Sequence, residues 1–427
     1  MNTRSPKVVI VGGGFGGLYA ATYLSRSEFG ENGGQITLID RQNYFTFTPL
    51  LAEVATGALG REHVTYPYRV LAHRFRFRFV QDTVCGIDFD RKVVLTNRSE
   101  LPYDYLVLAT GAAPQFFGND AIERSSVPLT SVNDALAVRA RVIGALERAA
   151  VVTDASERKR LLTFVVAGAG PAGVEIASGI HLLARDVLKR YYERTDEVRV
   201  ILAGAGDRIL AGFDEDLARE GLDLLRARGI DVRLHTRIVD VSPGVVTAEG
   251  PDGETESIPS HTLVWTAGTA PGRWLAEQDL QRDGSSIRVD AFLRVAGRDC
   301  VFGVGDVCAL RDQRTGEPYP RVAPIAISQG IRAAANIENH FFQRPLEPYQ
   351  AFHAGKIVSL GGCTALVDVL GLHLSGRLAW WIYRTAYLLK LVGTQNKIRV
   401  MVTLLLNKLF ERDITAEVVP GDWCGDR

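Results

Sequence analysis

Short apolar runs rich in β-branched residues alternate with longer amphipathic stretches along this chain, and the runs stop at glycine. Val8 to Val11 is the first such run. A glycine turn, a helical stretch from Leu18 to Leu24 and a second run, Gln35 to Ile39 ending at Asp40, follow it. Short buried strands separated by a helix predict a parallel βαβ unit. The charge-interrupted stretch Arg74 to Asp104, with Phe75, Phe77 and Phe79 and then Lys92-Val93-Val94-Leu95, predicts meander strands. A further strand, Tyr105 to Ala109, stops at Thr110-Gly111, where the chain must turn tightly. Val132 to Ala150 predicts helix.

The pattern then starts again. Leu161 to Ala167 predicts a strand, Val174 to Lys189 a helix, and Val198 to Leu202, Asp231 to Leu234 and Thr262 to Thr266 further strands, the last ending at Ala267-Gly268. Val301-Phe302 runs into Gly303-Val304-Gly305-Asp306 and returns the chain to the first fold. This is a repeat of whole folds, not of a short solenoid unit. The expected class is α/β, with two Rossmann-like dinucleotide-binding domains.

Each repeat opens on a glycine-rich fingerprint, Gly12-Gly13-Gly14-Phe15-Gly16-Gly17 and Gly168-Ala169-Gly170-Pro171-Ala172-Gly173. Gly12 and Gly168 allow the strand-to-helix bend, Gly14 and Gly170 let a pyrophosphate approach, and Gly17 and Gly173 let helix and strand pack closely. The helix N-terminus then offers unpaired N–H groups to the phosphates. Asp40 lies at the offset where a carboxylate accepts the hydroxyls of an adenosine ribose. In the second repeat that offset falls on Ala203 or Gly204, so no acid there repels a 2′-phosphate. Arg208 lies nearby, and a solvated surface charge explains it equally well. Glu175 falls in the first turn of the second helix, where it either caps the helix or faces a nicotinamide. Asp306 would reach a phosphate or hydroxyl of the first dinucleotide. Two redox dinucleotides in one chain imply electrons passing between them.

The 427 residues are too many for one core of ordinary size. Formal net charge is zero, which gives no electrostatic case for nucleic acid. Cys85, Cys300, Cys308, Cys363 and Cys424 have no CxxC spacing for zinc or thiol exchange, so no metal site is expected. Cys85 reads as a small buried hydrophobe. No apolar signal segment precedes the first strand, so the catalytic body is expected on the cytoplasmic side.

The tail differs from the rest. Between Leu372 and Asp413 seven basic residues face two acidic ones, an excess that the remaining chain cancels. Leu374 to Leu391, with Trp380, Trp381, Tyr383 and Tyr387, and Lys397 to Phe410 predict two amphipathic helices. Neither holds the uncharged stretch of about 20 residues that crosses a bilayer. Their composition suits helices lying in a membrane surface. Packing on the protein body or across a homodimer is the alternative.

With Asp40-Arg41-Gln42-Asn43-Tyr44, Thr48-Pro49-Leu50-Leu51, Val54-Ala55-Thr56-Gly57-Ala58-Leu59, Ala109-Thr110-Gly111, Trp265-Thr266-Ala267-Gly268 and Gly305-Asp306, the chain resembles the type II NADH:quinone oxidoreductases over nearly its whole length. The resemblance implies FAD in the first fold, at Gly12, Gly14, Phe15, Gly16, Gly17, Asp40, Arg41, Thr48, Pro49, Val84, Ala109, Thr110, Gly111, Gly305 and Asp306. It implies NADH or NADPH in the second, at Gly168, Gly170, Gly173, Glu175 and Gly268. Hydride would pass to the flavin, and two electrons would pass on to a membrane quinone without proton pumping. Glu175 and Gln329 are the expected catalytic groups. The implied domains are 1–150 and 286–371 for FAD, 151–285 for NAD(P)H and 372–427 for membrane contact. The chain departs from the family where Pro324 and Ser328 replace glutamines, which keeps open a flavin reductase with another acceptor. A redox-sensing flavoprotein is a further alternative. Cys308 and Cys363 lack the partner that sulfide:quinone chemistry would require.

Overall fold

The computed structural model describes residues 5–187, 189, 191–192, 195–351, 355–369, 371–409 and 415. The chain divides into two units. The first comprises Met1–Thr46, Thr65–Ala113 and Thr269–His353; the second comprises Phe47–Val64, Pro114–Gly268 and Ala354–Arg427. Segments 47–64 and 354–371 therefore group with the second fold, and not with the first as expected from the sequence.

The first unit is built on a five-stranded sheet in the order Val301–Gly303, Tyr105–Leu108, Lys7–Val11, Gln35–Asp40, Arg78–Gln81. Every neighbouring pair is parallel. Val8, Ile10, Leu106 and Val107 are fully buried; a sheet covered on both faces needs apolar residues at successive positions rather than at alternate ones. On one face the helix Phe15–Arg26 crosses the helix Ala323–Phe341. Gly16 and Gly330 meet there, and a side chain at Gly330 would strike the Gly16 carbonyl. Val84–Asp88, Val93–Thr96 and Glu100–Pro102 form the expected antiparallel meander. The stretch before it is different. Arg74 and Phe75 end a helix, Tyr68–Phe75, which Arg76 closes in the left-handed conformation at φ 60°. The alternation of Phe75, Phe77 and Phe79 imitates a strand, but only Arg78–Gln81 is one, at the edge of the parallel sheet. Cys85 is exposed, contrary to expectation, with its thiol on Asn97 Oδ1 at 2.7 Å.

The second unit repeats the plan: Val127–Pro128, Thr262–Trp265, Thr163–Ala167, Arg199–Ala203, Asp231–Arg233, all parallel. The two sheets meet the α/β expectation. The helix Val132–Val151 starts at a capping box made by Ser131 and Asp134. The helix Pro171–Leu182 runs into a π turn, Leu183–Val187. An antiparallel sheet of Lys356–Gly361, Thr364–Val369 and Leu372–Ser375 packs on that helix and leads into the tail helices Gly376–Lys390 and Thr394–Leu409. The first tail helix starts two residues later than Leu374 because Leu372–Ser375 completes the sheet.

Candidate functional site: two dinucleotide cradles and a buried carboxylate cluster

In the first cradle Gly12 sits at φ +99°. A side chain there, or at Gly17, would run into backbone, whereas a side chain at Gly14 would meet no atom within 4 Å. The turn is thus closed behind and open in front, which suits a phosphate. Gly12 N–H donates to Ile39 O at 2.9 Å and ties the turn to the second strand. One residue further, Asp40 Oδ2 accepts from Gly13 N–H at 2.7 Å and Oδ1 from Gln42 N–H at 2.8 Å. Burial raises the Asp40 carboxyl, and those two N–H groups oppose the rise. Tyr68, which the sequence reading missed, donates its hydroxyl to Gly13 O at 2.6 Å. Phe15 packs edge-on against Phe45 at 5.1 Å.

The remaining first-fold candidates lie around this turn or apart from it. Ala109 is buried, with its N–H on Val11 O; Gly111 is at φ +65° with open space where a side chain would project. Thr110 Oγ1 is buried without a hydrogen-bond partner, the polar atom expected of a site that receives a ligand. Arg41 is exposed and its carbonyl accepts from Gln81. Val84 opens the meander and packs on the apolar cluster beneath the sheet. Gly305 is at φ +75°, and its N–H donates to Gln329 Oε1 at 2.7 Å. Gln329 is 2% exposed. Its amide oxygen holds the Gly305–Asp306 turn. A cavity of about 190 Å³ lies beside that turn, lined by Asp306, Cys308, Tyr319, Arg321 and Gln329 among others. Burial raises the Asp306 carboxyl against the pull of Arg321. Burial likewise raises the Cys308 thiol to about 12, so Cys308 is no thiolate nucleophile. Pro324 sits in the first turn of its helix, where no N–H is needed. Ser328 bonds Tyr349 Oη at 2.8 Å.

The second cradle has the same construction. Gly168 is at φ +106°, Gly173 backs onto Gly168 O, and Gly170 faces open space. Gly168 N–H donates to Ala203 O at 2.8 Å. Gly268, at φ +121°, accepts at its carbonyl from Gln115 N–H.

Glu175 does not cap its helix. Its Oε1 accepts from Ser359 N–H at 3.0 Å, and burial raises its carboxyl to about 8, with Glu53 adding to the rise and Arg384 opposing it. Glu53, 9% exposed on the helix Leu51–Ala55, is paired with Arg384 at 2.7 Å and accepts from Tyr383 Oη at 3.2 Å. Arg384 and Tyr383 come from the first tail helix. Thr48 and Pro49 lie in the 3-10 turn Thr48–Leu50 that precedes Leu51–Ala55. The sequence signals for this cluster were one acid inside Leu-Leu-Ala-Glu-Val-Ala and one Arg inside Trp-Trp-Ile-Tyr-Arg.

The pattern of the pyridine nucleotide-disulphide oxidoreductases matches residues 6–330, and that of the NDH2 C-terminal domain matches 353–413. The type II NADH:quinone oxidoreductase Ndh of Mycobacterium tuberculosis is 33% identical over 425 residues, 96% of this chain and 89% of that one. The chain belongs to the type II NADH:quinone oxidoreductases. Within that family an external alternative NAD(P)H-ubiquinone oxidoreductase of Arabidopsis thaliana mitochondria is 33% identical over 73% of this chain and 56% of its own. The fold of NDH2 from Plasmodium falciparum, solved in complex with NADH, superposes with a TM-score of 0.89 at 18% identity, covering 96% of this chain and 100% of that one. The sulfide:quinone oxidoreductase of Aquifex aeolicus shares the fold at a TM-score of 0.75 and 21% identity.

Proposed function

We propose that this chain oxidises NAD(P)H through FAD and reduces a quinone, coupling no ion movement to the transfer. The observation that carries the reading is the pair of phosphate cradles, alike down to the first glycine N–H, which in each bonds a carbonyl at the C-terminal end of the second strand. FAD bound in the first cradle supplies a hydride acceptor that releases two electrons. Gly12, Gly14, Gly17, Asp40, Thr110, Gly305 and Asp306 would hold it. Gly168, Gly170 and Gly173 would hold the nicotinamide nucleotide. Glu175, kept protonated at neutral pH, is the group we assign to proton handling, and Gln329 is assigned a positioning role.

The exposed apolar side chains Leu378, Trp381 and Leu389 on one tail helix, and Ile398, Met401, Val402, Leu405 and Leu406 on the next, support a peripheral seat on a membrane surface. No helix among the described residues is long and apolar enough to cross one. A quinone would reach the protein from that bilayer. Anaerobic addition of NADH to the FAD-reconstituted protein should bleach the flavin, and a short-chain quinone should restore the colour. A flavin that no reduced nucleotide bleaches would sink the reading.

A further inference from the structure

Each cradle ties its first glycine N–H to the end of its second strand, and the two differ in the residue after that tie, where the first carries the acid expected at a ribose. In the first fold, Gly12 N–H bonds Ile39 O, and the next residue is Asp40. In the second, Gly168 N–H bonds Ala203 O, so the next residue, Gly204, occupies the position of Asp40. The following strand confirms the match: Asp82 N–H donates to Asp40 O, and Thr236 N–H donates to Gly204 O. These bonds put Gly204, one past Ala203, at the offset of Asp40.

Gly204 is buried, and the residue facing it is Ala169, the counterpart of Gly13. A Cβ at Gly204 would lie 2.6 Å from the Ala169 Cβ. That contact is too close for any side chain, and a methyl on a cradle turn has nowhere to go. In the first fold Gly13 has no Cβ, and Asp40 takes its N–H at 2.7 Å. In the second cradle Ala169 and Gly204 are coupled by that contact, whereas in the first it is Tyr68 that leaves no room for a Cβ at Gly13, and Asp40 has its place. The second cradle leaves no room for a side chain at Gly204, and so none for a carboxylate at the position of Asp40.

A carboxylate at this position accepts the 2′-hydroxyl of NADH and repels the 2′-phosphate of NADPH. We infer that Ala169 and Gly204 leave the second cradle without that discrimination, so NADPH is a substrate of this chain on a par with NADH. This rests on the nucleotide reading proposed above. The turn that follows holds an acid and a base side by side, Asp207 and Arg208, and His235 is exposed on the facing strand end. Arg208 donates to Ala211 O at 3.2 Å and lies 3.9 Å from Glu215, so its guanidinium stays in the turn without a tight carboxylate partner there. The turn Gly204 to Arg208 thus carries no net formal charge to set against a phosphate.

The test measures kcat/KM for NADH and for NADPH with one short-chain quinone. Calorimetric titration of the oxidised holoenzyme with NAD+ and NADP+ gives a second readout. The two nucleotides should differ by no more than about tenfold in both measurements. The double variant Ala169→Gly, Gly204→Asp rebuilds the first fold's solution and should depress NADPH by about a hundredfold while NADH stays within a few fold. Gly204→Asp alone should fold poorly, because Ala169 remains. If that strain also spoils the double variant, the wild-type ratio still decides. Wild type that oxidises NADH well and binds and oxidises NADPH at least about a hundredfold worse overturns the inference and leaves the proposed function intact. A double variant that loses both nucleotides equally overturns the assignment to these two positions. Turnover of neither nucleotide by wild type removes the proposed function, and the inference with it.

Discussion

Tyr68 grips the first glycine turn from behind. Asp40 takes the N–H of Gly13 while Tyr68 takes the Gly13 carbonyl, so one residue's backbone is gripped at both its polar groups. The Tyr68 ring is 2% exposed and stacks on Phe79 at 4.8 Å. Tyr68→Phe therefore removes the bond and keeps the packing, and a buried carbonyl left without its donor costs about 1–3 kcal/mol. Flavin should be retained less tightly, by about tenfold, in a fluorescence titration, while turnover at saturating FAD is unchanged. Equal affinity would assign Tyr68 to packing alone. Glu175 makes a pH prediction. Its folded value, about 8, stands above its ordinary 4.5, so between those values the folded state holds a proton that the unfolded state has released. Stability should fall as pH rises through that window and level off above it. Glu175→Gln should flatten the slope, which thermal midpoints of both proteins at several pH values would show. Asp40 was legible in the sequence because its offset from the glycines is short and local. Tyr68, Ser359 and Arg384 were not, because their bonds span 55, 184 and 331 positions, and no local pattern encodes a partner that far away.

Among the elements, the first tail helix is fixed by polar contacts inside an apolar seam. Ala379 and Tyr383 are buried, Arg384 pairs with Glu53, and Tyr387 packs edge-on against Phe47 at 5.9 Å. Replacing one member of such a pair strands the other charge without a counterion. Arg384→Met would leave Glu53 beside Glu175, two carboxyls in a poorly hydrated place. The chain should lose on the order of 3 kcal/mol in denaturant unfolding, and Glu53→Gln in the same background should recover part of that loss. Additive losses would show that the pair is not coupled. The second tail helix is docked differently: Asn396 Nδ2 donates to His63 O at 2.7 Å, and Thr403 Oγ1 bonds His63 Nε2 at 2.9 Å. Helical spacing made both tail helices legible. Their grip on the body was not, since Glu53 and His63 look from the sequence like ordinary polar residues in a loop-rich stretch. The helix Tyr68–Phe75 was missed for a related reason: alternating phenylalanines carry a strand period even where a left-handed Arg76 separates helix from strand.

At the scale of the whole molecule, a net charge of zero conceals a basic, apolar tail set against an acidic remainder. Ile398, Met401, Val402, Leu405 and Leu406 fall three and four residues apart and are all exposed, one continuous stripe on a helix whose other side is pinned to His63. Water is a poor solvent for that stripe, so a bilayer or a second copy of the chain should cover it. Basic side chains around it favour an anionic lipid surface. Met401→Gln with Leu405→Gln keeps charge and helix length while removing apolar area, at about 1–2 kcal/mol for each side chain that inserts. Co-sedimentation with phosphatidylglycerol vesicles should weaken by at least about tenfold, and turnover with a water-soluble quinone should stay unchanged. Turnover with a long-chain quinone confined to the vesicles should fall with the binding. If instead vesicle binding persists and the sedimentation mass halves, the stripe joins two copies, and the membrane is reached through some other surface.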